Sequence, residues 1–76
     1  MTEQLRQKTQ ELAEFRSKAG QYGSSLALVN QEMAMSEPLV KTGAVSPVEI
    51  LRLKRSAVEI RGSLNATTLA LSLIHI

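Results

Sequence analysis

At 76 residues, with one Phe, one Tyr and no Trp, the chain is one domain at most and lacks the aromatic anchors of a large core around a catalytic cleft. Its net charge of +2 comes from Lys, Arg and Glu interspersed along the chain, which argues against a nucleic-acid-binding tail. With no Cys, no Asp and one His, neither a disulfide, a metal cluster nor a Ser-His-Asp arrangement can be assembled, and neither a cofactor nor enzymatic activity is expected.

Leu, Ala, Gln, Glu, Lys and Arg dominate, a composition that belongs to long helices. The first predicted helix covers residues 2 to about 41. Taken in alternating steps of three and four, Leu5, Lys8, Leu12, Phe15, Ala19, Tyr22, Leu26, Val29, Met33 and Ser36 line up as one seam, with only Lys8 and Ser36 polar. This is the a/d repeat that turns an apolar stripe toward a partner helix. Gly20, Gly23, Ser24 and Ser25 each weaken the helix, yet the heptad phase passes through them without a skip. One continuous, locally soft helix is expected.

The segment PLVKTGAVSPVEI, residues 38–50, is dense in stop and start signals. Pro38 should kink the first helix or end it, and Gly43 can take the left-handed conformation that closes a helix. Ser46 is placed as an N-cap, Pro47 falls at the first helical position, and Glu49 stands three residues after Ser46 to complete a capping box. The tip loop is therefore short, near residues 42–46, and a short loop makes the two helices antiparallel neighbours.

A second helix is predicted over residues 47 to about 72, with its own seam of Ile50, Leu53, Ala57, Ile60, Leu64, Thr67, Leu71 and Ile74. The fold class is thus all-α, a two-helix antiparallel coiled-coil hairpin. Facing residues then have numbers that sum to about 88, which sets Met33 near Leu53 and Ala57, and Leu26 near Ile60 and Leu64. In this register Leu5, Leu12 and Phe15 face positions beyond residue 73, so the hairpin is expected to be incomplete at its C-terminal arm and marginal alone. Glu14 with Lys18, and Arg55 with Glu59, are expected i,i+4 pairs.

The most basic stretch carries Arg52, Lys54, Arg55 and Arg61, but a heptad seam interleaves it and no aromatic residue is there to stack on bases. Neither nucleic acid nor a membrane surface is expected as partner, since the facing helix accounts for the apolar stripe. No stretch reaches the roughly 18–20 apolar residues of a membrane span, and the polar N-terminus is not a signal peptide. Leu39, Val40, Ala44 and Val45 are apolar at a hairpin end, where a plain turn is polar. Either they plug the end of the seam or, with Gly43 and the Ser46 hydroxyl, they form a docking surface.

Residues 24–67, SSLALVNQEMAMSEPLVKTGAVSPVEILRLKRSAVEIRGSLNAT, resemble the hairpin domain of HlyD-family periplasmic adaptor (membrane-fusion) proteins, in particular those of type I secretion. The likeness is carried by the Pro-Leu-Val-x-x-Gly-x-Val-Ser tip and the Leu-, Arg- and Glu-rich helix after it. In that family the tip pairs an Arg, a Leu four residues later and a Ser seven beyond that. Leu39 and Ser46 keep the Leu-to-Ser spacing here, whereas Met35 stands at the Arg position and carries no charge.

The resemblance implies a non-enzymatic segment of a periplasmic protein anchored in the inner membrane of a Gram-negative bacterium. Such adaptors link an inner-membrane ABC transporter to a TolC-like outer-membrane channel. They self-associate, commonly as a hexameric ring, and their hairpin tips meet the channel. The family's anchor, lipoyl-like domain and β-barrel domain have no counterpart in this chain, and the transporter contact would lie in those parts. The ending LSLIHI, residues 71–76, breaks the charged pattern and resembles translated adapter read-through, so His75 and Ile76 are left uninterpreted. The competing expectation, free of any family, is a generic antiparallel coiled-coil oligomerisation or protein-interaction module.

Overall fold

In a computed structural model the chain is all-α, with two long helices folded back on each other as a rod of 63 × 14 × 13 Å. Helix α1 spans Thr2–Lys41 and helix α2 spans Pro47–Ile74. The structure describes residues 2–74, the last by its backbone only; His75 and Ile76, both in the segment set apart above, lie outside the described residues. One shallow groove lies between Leu12 and Arg16 of α1 and Thr68, Leu71 and Ser72 of α2, and another between Val40 and Lys41 and Pro47 and Ile50. The start of one helix thus stands beside the end of the other, the antiparallel hairpin.

A helix of 40 residues at about 1.5 Å per residue is about 60 Å long, close to the whole 63 Å axis, so α1 runs nearly straight. It continues through Pro38, which sits in its last turn. The proline removes the donor to the Ala34 carbonyl, and both residues face solvent, where water substitutes for the missing bond.

The apolar seam is where the two helices meet. On α1, Leu12, Phe15, Ala19, Tyr22, Leu26, Val29, Met33 and Ser36 are half-buried, as are Ile50, Ala57, Ile60, Leu64 and Leu71 on α2. Among the described residues only Leu53 and Thr67 are buried, at 7% and 8% exposure. A single facing helix covers each seam residue from one side only, so half-burial is the rule in this architecture. The Thr67 hydroxyl donates to the Ser63 carbonyl at 2.8 Å, which lets a polar side chain sit in the seam without an unpaired group.

Three local expectations are corrected. Leu12 is half-buried and shares its groove with Leu71, because a knob reaches about one turn along the facing helix; Leu5 alone of the three early residues named above remains bare, at 67% exposure. Lys18 lies over the Phe15 ring, 5.9 Å from its centroid, rather than pairing with Glu14. The ion pairs formed among the described residues are the i,i+3 pairs Arg6–Glu3 and Arg52–Glu49, each at 3.5 Å, in place of Arg55–Glu59. Exposed side chains choose among neighbours that differ by only a few tenths of a kcal/mol, so spacing does not fix the choice.

Candidate functional site

The tip begins where α1 runs out of intrahelical donors for its last carbonyls. Gly43 takes φ 81°, and its N–H donates to the Val40 carbonyl at 3.1 Å while the Ala44 N–H donates to the Leu39 carbonyl at 3.0 Å. These two bonds are the Schellman closure of a helix. The Leu39 carbonyl also accepts from the Val45 N–H at 3.2 Å and from the Thr42 hydroxyl at 2.9 Å. The turn is therefore fixed by backbone bonds and not by the identity of its outward side chains.

On the other side, the Ser46 hydroxyl accepts from the Val48 N–H at 3.2 Å, and the Ser46 carbonyl accepts from the Glu49 N–H at 3.0 Å. Ser46 is an N-cap. The reciprocal half of the capping box is replaced: the Glu49 carboxylate turns along the helix to Arg52, 3.5 Å away. Ser46→Ala is accordingly expected to cost about 1 kcal/mol, the loss of one cap, read as a lower melting midpoint by circular dichroism.

The apolar tip residues divide into two sets. Val40 and Val45 are half-buried, and Val40 lines with Pro47 and Ile50 a shallow groove of about 450 Å³ between the helix ends. Val40 thus covers the end of the seam. Leu39, Gly43, Ala44 and Ser46 are exposed, Leu39 at 44%. The tip thus has half-buried apolar residues and, separately, apolar residues turned outward to solvent. Met35 is 68% exposed one turn before Leu39 on the same face.

A feature that the sequence reading missed lies along the outer edges. On α2, Val48, Leu51, Val58, Leu69 and Leu73 are 62–71% exposed, so the facing helix does not account for all of its apolar residues. At about 100° per residue they stand roughly opposite the seam. On α1, Leu28, Met35 and Leu39 form a corresponding stripe. The signal was present as a second three-and-four spacing, Val48, Leu51, Arg55, Val58, hidden because the first spacing already explained the helix.

Among the described residues there is no group of three or more His, Cys, Asp or Glu placed to hold a metal ion, and no helix is long and apolar enough to cross a membrane. The functional candidates are therefore surfaces: the tip and the two outer stripes. The chain matches no protein-family model, no curated protein and no solved structure with which it was compared.

Proposed function

We propose that this hairpin is the channel-docking segment of a non-enzymatic periplasmic adaptor of the HlyD type, serving type I secretion. In this reading the adaptor is anchored in the inner membrane, joins an ABC transporter there to a TolC-like outer-membrane channel, and uses the hairpin to reach across the periplasm. The observation that carries it is the outward half of the tip: Leu39, Ala44 and the Ser46 hydroxyl exposed together on a turn held by four backbone bonds and a cap.

Apolar groups left in water on a fixed turn favour an interface, and a turn already ordered loses little further entropy on docking. The Ser46 oxygen is engaged as an acceptor from Val48, which leaves its proton for a carbonyl or carboxylate on the partner. A rod 63 Å long with this surface at its end suits contact end to end.

The test is export by the adaptor carrying this hairpin. Ala44→Glu puts a charge on the docking surface without touching a cap, and Ser46→Arg removes the hydroxyl. Ala44→Glu is expected to reduce secretion to the level seen without adaptor while adaptor abundance and helicity stay unchanged; Ser46→Arg is expected to reduce it as well, with the lower melting midpoint that loss of the cap brings. Normal export from stable Ala44→Glu protein overturns the reading. The second reading, an antiparallel coiled-coil oligomerisation module with no channel partner, draws support from the exposed outer stripes. It predicts that tip substitutions are silent while Leu26→Asp, in the seam, abolishes activity.

A further inference from the structure

We propose that Met35 is a reversible oxidation site, and that its conversion to the sulfoxide by a peroxide weakens docking of the tip. The effect on docking rests on the channel reading; the oxidant's preference for Met35 does not. Two methionines lie near the end of α1, and the helix sends them opposite ways. At about 100° per residue, Met33 and Met35 are about 200° apart. Met33 is half-buried in the seam and fills space between the helices, whereas Met35 is 68% exposed on the outer stripe with Leu28 and Leu39.

Composition makes the exposed thioether the readiest target. The chain has no Cys and no Trp, and its one Tyr, Tyr22, is half-buried. A two-electron oxidant therefore meets thioether sulfur first. The neighbours of Met35 on its own helix face, Gln31, Glu32, Pro38 and Leu39, are all exposed themselves and leave it open to water. With hydrogen peroxide, a sulfur lone pair attacks one peroxide oxygen, and the S–O bond forms as the O–O bond breaks. The thioether is oxidised by two electrons to the sulfoxide and the peroxide is reduced to water. A dithiol-dependent sulfoxide reductase reverses the step, releasing the oxygen as water while its thiol pair becomes a disulfide.

Position gives the modification its consequence. Leu39, at the base of the turn, follows Met35 by one helical turn on the same face, about 6 Å along the axis. The turn itself is held by backbone bonds, so a change at an outward side chain leaves it in place. What changes is the surface. A flexible apolar side chain, able to adapt to a partner, becomes polar and chiral beside the docking residues. Oxidation of Met33 would act differently, by putting a polar group into the seam. Met35 thus makes docking responsive to oxidant while the hairpin stays folded.

The 76-residue chain is treated with hydrogen peroxide and digested with trypsin. Met33 and Met35 fall in one tryptic peptide, residues 19–41, and fragment ions assign the added oxygen to one or the other. Met35 is expected to oxidise roughly threefold or more faster than Met33, with helicity unchanged. Equal rates, faster oxidation of Met33, or helicity lost in step with Met35 oxidation overturns the proposal. Within the adaptor carrying this hairpin, Met35→Gln, a polar stand-in for the sulfoxide, is expected to export several-fold less than Met35→Leu, which is close to Met in volume and has no sulfur. Under a peroxide dose that depresses export by the parent, Met35→Leu is expected to keep a several-fold larger fraction of its own untreated export. Equal export from Met35→Gln and Met35→Leu, or equal peroxide sensitivity of Met35→Leu and the parent, overturns the effect on docking. If Ala44→Glu abolishes export in the same assay, the channel reading survives that result; if Ala44→Glu exports normally, both fall together.

Discussion

Leu53→Asp is expected to abolish the hairpin's helical signal at room temperature, whereas Leu51→Asp, two positions away, leaves it intact. Leu53 is the one apolar side chain buried among the described residues, at 7% exposure, and it sits in the middle of the tip-proximal seam. Removing a buried Leu costs about 2–5 kcal/mol even when Ala replaces it, and a carboxylate adds its own desolvation. A seam of half-buried residues has no reserve of that size, because each gains only part of the burial a three-dimensional core provides. Leu51 is 64% exposed, at the rim of the groove between the helix ends and outside the buried seam, so a carboxylate there stays in water. Ellipticity at 222 nm separates the two; equal loss in both variants contradicts the assignment of inner and outer faces.

Substitutions at two glycines are expected to move stability in opposite directions. Gly43 holds φ 81°, a region in which an L-residue costs about 1–2 kcal/mol, with a β-branched residue at the upper end. Gly43→Val should therefore lower the melting midpoint although nothing lies within 4 Å of an added Cβ: the strain is in the backbone and not in crowding. Gly20 lies inside α1 with the same open space around it, so Gly20→Ala exchanges the poorest ordinary helix former for the best and should add about 0.8–1 kcal/mol. Thermal melts of the two variants beside the parent chain check both signs together. Stabilisation by Gly43→Val would mean that the left-handed turn does not close α1.

Much of this architecture is legible in one dimension because its determinants are local. The seam from Leu12 to Ser36 and that from Ile50 to Leu71 are both half-buried or buried throughout, since a helix fixes which residues share a face before any partner arrives. Gly43 and Ser46 are equally readable, one by its freedom to turn left-handed and the other by an oxygen within reach of an N–H two residues on. The reciprocal Glu49 bond failed for a reason local rules cannot express. Its carboxylate has Arg52 one turn ahead, and an ion pair competes with a backbone N–H for the same oxygens. Lys18 likewise found the Phe15 ring in place of Glu14.

The sequence alone determined that there are two helices, where they turn and which residues of each share a face, because periodicity and capping act within a few residues. Only the tertiary structure decided which apolar residues are left over. Val48, Leu51 and Val58 are as hydrophobic as Ile50, Leu53 and Ile60, and nothing in their spelling says which set the facing helix covers. A two-helix rod has one inner seam and two outer edges, so one set must face outward. The tip divides for the same reason. Val40 turns into the groove between the helix ends and Val45 is half-buried, whereas Leu39 and Ala44 have only solvent or a partner to meet.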